Sequence, residues 1–225
     1  SAAFGFLRGN IRSEQPDRQG KAMPIKPVDI VLSNGVEVIL RPAGPEDEPR
    51  FEHIVANMSE ESRYLRFFSG VKVIPKPIIH ALADADGHRH IAWAAALKNE
   101  PGQPFIAAAH AIRTTNELEE AELAMGVLDA YHAQGLSRML IACVALCCHA
   151  EGIITLEAET LPENRKANSL FKALGGHVIR PMPPTTVWQF HVGELISVLR
   201  AMESPRGLRE VFRINGADDD QVAES

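Results

Sequence analysis

Apolar residues along this chain group into short runs of strand length and into stripes with helical spacing. Near the start, apolar runs at 29–32 and 36–40 flank Ser33-Asn34-Gly35, and Asn-Gly between two such runs predicts a β-hairpin. Later apolar runs predict further strands at 90–97, 105–112, 121–128, 153–158, 177–180 and 185–190. Capping residues and apolar stripes predict helices that start after Asp47 and at Ser59, and others at 75–82, 138–150, 162–174 and 193–202.

The stretch 121–150 organises the chain, because a strand, a glycine-bearing turn and a helix follow one another there. This order leaves several backbone N–H groups without partners at the start of the helix. Together with the positive end of the helix dipole, these donors suit a phosphate or pyrophosphate group. A plain strand–helix connection is the competing interpretation of the same pattern.

A second strand and a second helix follow at 153–158 and 162–174. Pro162 suits a first helical turn, and Gly175 suits the residue after a helix end. The continuation favours the anion-site interpretation of the first turn. The apolar stripe of this second helix consists of Ala167, Leu170, Phe171 and Leu174.

Two motifs follow these two strands, and together they resemble the acetyl-CoA-binding core of the GNAT superfamily of N-acetyltransferases. The family patterns are (Gln/Arg)-x-x-Gly-x-(Gly/Ala) and Asn-x-x-Ala-x-x-Leu-(Tyr/Phe)-x-x-x-Gly, separated by about one helix and one strand. Residues 132–137 lie on the first motif. The second motif is matched by Asn164, Ala167, Leu170, Phe171 and Gly175.

Three positions depart from the family pattern. His132 replaces the usual Gln or Arg, and Ser137 replaces Gly or Ala. Phe171 stands where many members carry a tyrosine that can protonate the departing thiolate. The glycine of the first motif and the asparagine of the second motif are kept.

The resemblance implies an α/β GNAT fold, with a mixed, mostly antiparallel central sheet of about six to seven strands flanked by helices and an N-terminal hairpin extension. It places the acetyltransferase domain at 28–203. Residues 1–27 lack apolar periodicity and are expected to form a flexible arm. Residues 204–225 are expected to form a C-terminal tail, whose end is acidic.

The resemblance also implies acetyl-CoA as the acyl-donor co-substrate. Backbone N–H groups of the first turn would hold the pyrophosphate, and the strand before it would pair with the pantetheine arm and bind the oxyanion. Gly126 inside that strand indicates a close backbone approach. The expected cofactor-binding residues are Met125, Gly126, Val127, His132, Ala133, Gln134, Gly135, Leu136, Ser137, Arg138, Asn164 and Phe171.

Glu122 is the expected general base, because its Ala-Glu-x-Ala context matches the catalytic glutamate of a subgroup of the superfamily. A carboxylate partly enclosed by an apolar strand can have its pKa raised toward the working range. A glutamate with a structural or solvent-facing role is the alternative. The Ser-x-Glu-Ser-Arg-Tyr-x-Arg-Phe-Phe string at 59–68 resembles the same subgroup, which includes protein-lysine acetyltransferases. Arg63 and Arg66 could meet an acidic acceptor or join a surface ion-pair lattice.

Composition limits the remaining function classes. A net charge of −6 over 225 residues disfavours nucleic-acid binding, and no apolar run reaches the length of a membrane span, so a cytoplasmic protein is expected. Asp84, Asp86, His88 and His90 lack the complete pattern of a calcium loop, and no metal is expected. The cluster of Cys143, Cys147, Cys148 and His149 is interpreted as core packing, with Cys143 and Cys147 on the apolar stripe, rather than as a zinc site or a nucleophile.

Three functional hypotheses remain open. The first is an acetyl-CoA-dependent N-acetyltransferase that acts by direct attack on a primary amine, of a small molecule or a protein lysine. The second, motivated by the three departures, is a catalytically weak GNAT-fold module that binds acyl-CoA as a sensor or interaction domain. The third is a binding domain that takes no CoA. The helix at 193–202 would serve for packing or for dimerisation, so a homodimer is also considered.

Overall fold

The computed structural model describes residues 25–114 and 119–215. Most of the predicted flexible arm, at 1–24, lies outside the described residues. The acidic end at 216–225 lies outside them as well. Neither prediction is therefore tested by the structure.

The core of the molecule is one eight-stranded sheet with the order β1-β2-β3-β4-β5-β6-β8-β7. Every neighbouring pair of strands is antiparallel except β5 and β6, which run parallel. The predicted mixed sheet and its N-terminal hairpin are confirmed, with eight strands rather than six to seven. The strands are Val28–Val31 (β1), Glu37–Pro42 (β2), His90–Leu97 (β3), Phe105–Arg113 (β4), Glu120–Val127 (β5), Thr155–Thr160 (β6), His177–Met182 (β7) and Thr185–His191 (β8).

Seven α-helices accompany the sheet within the described ranges. Ser59 caps the second one as predicted, because its Oγ accepts a hydrogen bond from the Ser62 N–H at 3.1 Å. The prediction for Pro162 was wrong: Asn164 caps that helix, and Pro162 lies before it. The helices are Glu48–Asn57 (α1), Glu60–Phe67 (α2), Lys76–Ala83 (α3), Leu136–Ala150 (α4), Arg165–Ala173 (α5), Val192–Ala201 (α6) and Arg206–Asn215 (α7).

Helices cover both faces of the sheet. On one face, Trp93 of β3 donates a hydrogen bond from Nε1 to Cys147 Sγ of α4 at 3.2 Å. On the other face, the ring of Phe51 in α1 lies 5.4 Å from the ring of His110 in β4. Cys143 and Cys147 are fully buried, and burial raises the pKa of both thiols, so they are packing residues as the sequence predicted.

The predicted C-terminal tail is partly wrong, because α7 packs onto the domain. Leu208 and Val211 are fully buried, and the helix contacts β1, α4 and α6. The Asn215 side chain exchanges hydrogen bonds with the Lys26 backbone, so 25–27 also join the fold rather than the arm. Apolar residues at 208, 211, 212 and 214 form a helical stripe on α7. The helix was not predicted because this stripe is short and polar residues surround it.

The two parallel strands separate at Glu122. β5 pairs with β6 only from Glu120 to Glu122, whereas its pairing with β4 continues to Val127. Past Glu122, one edge of β5 therefore has no strand beside it. This splay between β5 and β6 creates the space in which the candidate site lies.

Candidate active site

The open edge of β5 presents backbone hydrogen-bonding groups. The Leu128 N–H donates to Ile106 O of β4 at 2.9 Å, so alternate residues of this strand point their backbone groups toward β4. The intervening residues, Met125 and Val127, therefore point theirs toward the space that β6 has left. An extended, amide-rich ligand could pair with this edge as an added strand does.

A cleft of about 440 Å³, partly open to solvent, follows this edge. Strands β5 and β6 form one side, α2 forms the second, and the start of α5 forms the third. Met125 and Ala124 line the cleft along the strand edge. Its other functional side chains are Arg66, Glu122, Glu159, Thr160, Asn164 and Phe171.

Glu122 lies where the two strands part, and its side chain is half-buried. Burial raises the pKa of its carboxyl group above the usual range. The positive charge of Arg66 opposes this shift, and the carboxylates of Glu159 and Glu157 add to it. The result is a carboxylate that takes up a proton more readily than an exposed glutamate does, at the centre of the cleft.

Arg66 extends from α2 toward Glu122. Burial lowers the pKa of its guanidinium to about 10, and Glu122 partly offsets that shift. The guanidinium carbon lies 5.1 Å from the centre of the Phe67 ring. No hydrogen bond joins Arg66 to another residue in the part of the chain that the structure describes. Arg63, by contrast, donates to Met58 O at 3.3 Å and does not line the cleft.

Helix α4 begins in a tight turn that follows β5 in the chain. Ala133 and Gly135 both have positive φ angles, 61° and 80°, and Gly135 is the residue before the helix. The first i to i−4 hydrogen bond runs from the Met139 N–H to Gly135 O. The N–H groups of Leu136, Ser137 and Arg138 precede it and make no hydrogen bond within the described ranges, so they are available to an anion.

Neighbouring segments hold this turn in place. The Gln134 side chain accepts hydrogen bonds from Ser33 Oγ at 2.5 Å and from the Asn34 N–H at 3.3 Å, in the turn between β1 and β2. A Cβ at Gly135 would lie 2.5 Å from the Pro205 ring, so only glycine fits beside that contact. Leu136 buries its side chain, and only its backbone can face a ligand.

His132 closes the turn and has a defined tautomer. Its Nε2 lies 3.1 Å from Val127 O, and because a carbonyl only accepts, Nε2 carries the proton. Nδ1 therefore accepts from Lys166 Nζ, which lies 3.3 Å away. Lys166 was not among the predicted site residues. The sequence signal that could have identified Lys166 is its position two residues after Asn164, within the second motif.

Asn164 and Phe171 line the third side of the cleft, at the start and within α5. The Asn164 Oδ1 accepts from the Ala167 N–H at 3.1 Å and so caps this helix. Phe171 is buried, and its ring makes edge contacts with Trp188 and Phe190, with centres 6.1 and 5.4 Å apart. Of the predicted site residues, Glu122, Met125, Asn164 and Phe171 line this cleft, whereas those at 132–138 are not part of its lining.

The N-terminus of α2 is hydrogen-bonded to the turn before α4. Asp129, in the turn before α4, accepts from Ser62 Oγ at 2.8 Å and from Ser59 Oγ at 3.2 Å. Farther along the helix, the Tyr64 hydroxyl donates to Glu163 at 3.4 Å and links α2 to the residue before the Asn164 cap. These contacts fix the wall that carries Arg66 relative to both turns.

In the loop at 84–90, which the sequence analysis considered as a metal site, backbone hydrogen bonds give Asp86 a structural role. The Asp86 Oδ1 accepts from the N–H groups of His88, Arg89 and His90 at 2.7 to 3.0 Å. Across 25–114 and 119–215, no three His, Cys, Asp or Glu side chains converge as metal ligands. The same ranges contain no helix that is both long and apolar enough to span a bilayer.

Comparisons with known proteins give consistent matches. The acetyltransferase Pat of Mycolicibacterium smegmatis is 26% identical over 163 residues, or 72% of this chain. The acetyltransferase PA5475 of Pseudomonas aeruginosa is 25% identical over 144 residues, covering 64% of this chain and 77% of its own length. The crystal structure of the GNAT domain of S. lividans PAT superposes with a TM-score of 0.68 at 26% identity, covering 77% of this chain and 99% of that domain.

These matches support a Pat-like acetyltransferase of the GNAT superfamily. No family model matches the sequence. The chain covers 48% of the length of the M. smegmatis Pat, so it corresponds to about half of that protein.

Proposed function

We propose that this GNAT domain is an acetyl-CoA-dependent N-acetyltransferase in which Glu122 is the general base. The observation that supports this most directly is the position of Glu122. Its carboxylate lies at the point where β5 and β6 part, within a cleft and beside an open strand edge. A base at that point can reach an amine that approaches a thioester held along the edge.

The cofactor would extend from the start of α4 to the splay. The free N–H groups at 136–138 and the ammonium group of Lys166 would bind the pyrophosphate. The pantetheine amides would pair with the backbone of Met125 and Val127. The cap Asn164 and the buried ring of Phe171 would form the opposite side of this channel.

The reaction itself requires the loss of two protons from the acceptor nitrogen and one exchange of bonds. Glu122 takes a proton from the acceptor ammonium, and the freed nitrogen attacks the thioester carbonyl carbon. A backbone N–H of Met125 or Val127 stabilises the oxyanion while the C–N bond forms. The C–S bond then breaks, CoA leaves as the thiolate, and the nitrogen loses its second proton to solvent as the amide forms. The Phe171 ring has no proton to give, so this thiolate departs without an acid at that position.

The acceptor is proposed to be a primary amine, either of a small molecule or of a protein lysine. Its ammonium form would meet the carboxylates of Glu122 and Glu159, which attract a positive charge. The Arg66 guanidinium beside them disfavours a second positive charge and so favours the deprotonated amine. Small amines and lysine peptides are therefore both part of the test.

Two measurements test this proposal. Thermal unfolding with CoA and with acetyl-CoA should show a higher midpoint with each ligand, since both carry the pyrophosphate. Release of CoA thiol is then followed with a panel of small amines and lysine peptides. We expect Glu122→Gln to lower kcat at least about 100-fold while acetyl-CoA affinity is kept.

Glu52→Gln serves as the control, because it makes the same chemical change at an exposed position on α1. Stabilisation by both ligands without turnover of any amine would favour the acyl-CoA-binding sensor module. No stabilisation by either ligand would contradict a CoA site in this chain.

A further inference from the structure

A second cavity adjoins the catalytic cleft on the side of α1. It is a narrow cavity whose empty space of about 260 Å³ includes open solvent, and Arg66 lines both this cavity and the cleft. Small residues on neighbouring strands, Gly126 of β5 and Ala108 of β4, form its floor. Its apolar walls include Phe51, Ile54, Met58 and Phe67. We call this cavity the inner pocket.

One polar ring opens into the inner pocket. His110 is only 3% exposed, and its Nδ1 lies 2.9 Å from the Nε2 of His90. The Nδ1 of His90 lies 3.0 Å from Asp84 O. A carbonyl oxygen only accepts, so His90 carries its proton on Nδ1 and, when neutral, offers a lone pair on Nε2. His110 must then donate from Nδ1, which leaves its Nε2 as a bare acceptor.

No hydrogen bond joins this Nε2 to any residue within 25–114 and 119–215. Burial lowers the pKa of His110 well below its usual value, and the neighbouring His90 and Arg66 lower it further. The ring is therefore neutral, and its tautomer is fixed by the chain of contacts to Asp84. The inner pocket thus combines apolar walls with one fixed acceptor, His110, and one charged donor, Arg66.

A hydroxyl group on a short carbon chain matches this combination. It can donate to His110 Nε2 and accept from the Arg66 guanidinium, while its carbon atoms contact the apolar walls. A plain alkyl chain would cover His110 Nε2 and leave this acceptor without a partner, which is unfavourable. A carboxylate would place negative charge against the lone pair of His110. The pocket therefore favours a hydroxyl over both.

The inner pocket also lies where the acyl group of a bound thioester would point. Gly126 lines it and stands between Met125 and Val127, whose backbone groups face the proposed thioester. Met58 covers this point, because a Cβ at Gly126 would lie 2.5 Å from Met58 Cε. A methionine side chain adapts easily, so an acyl chain can displace it.

We propose that the inner pocket binds the end of a short hydroxyacyl group, so that the site accepts a short hydroxyacyl-CoA as a donor in addition to acetyl-CoA. This inference rests on the proposed function, since it assigns the acyl group that the same site transfers. His110 is then a specificity-determining residue, and His90 positions it.

Isothermal titration of the full chain with four ligands tests the inference: CoA, acetyl-CoA, butyryl-CoA and 3-hydroxybutyryl-CoA. We expect 3-hydroxybutyryl-CoA to bind about fivefold more tightly than butyryl-CoA, which is the usual scale of one neutral hydrogen bond. Equal affinity for these two, or weaker binding of both than of acetyl-CoA, would overturn the inference while leaving the CoA site intact. Failure of all four ligands to bind would instead overturn the proposed function and this inference with it.

Two variants locate the effect in the pocket. His110→Leu removes the acceptor, so the ratio of 3-hydroxybutyryl-CoA to butyryl-CoA affinities should fall to about one. Ala108→Leu fills the pocket floor from β4, so both four-carbon ligands should lose affinity relative to acetyl-CoA. Binding of acetyl-CoA by each variant verifies its fold. A hydroxyl preference that survives His110→Leu would contradict the role of His110.

Discussion

Arg66 sets the ionisation of Glu122 from the opposite wall of the cleft. Burial raises the pKa of this carboxyl group, and the guanidinium counteracts the shift. If Glu122 is the general base, as proposed, it must be ionised to accept a proton, and the balance of the two effects would determine the lowest pH at which acetyl transfer proceeds. Arg66 is thus proposed to act on the reaction through Glu122.

The pH profile of acetyl transfer should reveal this coupling. We expect kcat/KM to fall toward acidic pH as Glu122 becomes protonated, and Arg66→Gln to move that fall to higher pH. The reason is that loss of the positive charge raises the pKa of Glu122 further. Profiles are measured with one acceptor amine, and Arg63→Gln, on the same helix, is the control. An Arg66→Gln profile that matches the wild type would contradict the coupling.

Lys166 supplies positive charge beside the turn before α4. In that turn, His132 stands at the position where the family pattern has Gln or Arg. The neutral His132 ring donates a hydrogen bond from Nε2 to Val127 O, so the lone pair on Nδ1 accepts a hydrogen bond from Lys166. The ammonium group keeps two further protons for a phosphate oxygen. This pair of residues offers a physical explanation of how the turn can bind an anion despite the departure at 132.

Lys166→Met should therefore weaken CoA binding about fivefold, equivalent to about 1 kcal/mol for an exposed charged contact. The effect should shrink at high salt, because exposed charges are screened. Lys172→Met, at an exposed position on the same helix, is the control and should change affinity little. The prediction is tested by titrating both variants with CoA at two salt concentrations and comparing the affinities.

At the scale of elements, periodicity predicted most strands and helices, because apolar faces recur at fixed spacing. Their ends were harder to predict: α4 begins at Leu136 rather than 138, since Gly135 forms the cap. The contacts of Lys166, His90 and His110 join residues far apart in sequence or on different strands. Such pairs leave no periodic signal, so only the three-dimensional structure brings them together.

Asp47 connects β2 to α1 and offers an element-scale test. Its fully buried carboxylate accepts from Arg41 at 2.6 and 2.9 Å, from Arg50 at 2.8 Å and from the Gly44 N–H at 3.2 Å. Burial alone would raise the pKa of Asp47, but these partners outweigh it and lower the pKa. The ionised form is therefore the one that the fold stabilises.

Asp47→Ala should lower the free energy of unfolding by about 3 kcal/mol, because it leaves two arginines without their shared partner. Asp29→Ala removes an exposed ion pair with Lys98 and should cost less than about 1 kcal/mol. Urea unfolding at pH 7 compares the two. The difference between wild type and Asp47→Ala should also shrink as pH falls below the unfolded pKa and through the lowered pKa of Asp47. Equal losses for both variants would contradict the buried network.

At the scale of the whole molecule, the two ends of the described chain meet at Lys26 and Asn215, and the C-terminal segment also contacts the candidate cofactor turn through Pro205. Helix α7 lies against β1 and α4, and a Cβ at Gly207 would come 2.4 Å from Met139 Sδ. Pro205, just before this helix, contacts Gly135. The segment that the sequence suggested as a tail therefore supports the turn from which α4 begins.

Removal of this segment is the test of that role. A chain ending at 203 should lose at least about 3 kcal/mol of stability, because Leu208 and Val211 no longer bury their side chains. It should also bind CoA more weakly, since the Gly135 turn loses its contact with Pro205. A chain ending at 215 keeps α7 and is the matched control. Both chains are compared by thermal unfolding and by titration with CoA. Equal unfolding midpoints and equal CoA affinities for the two chains would show that 204–215 is a dispensable tail.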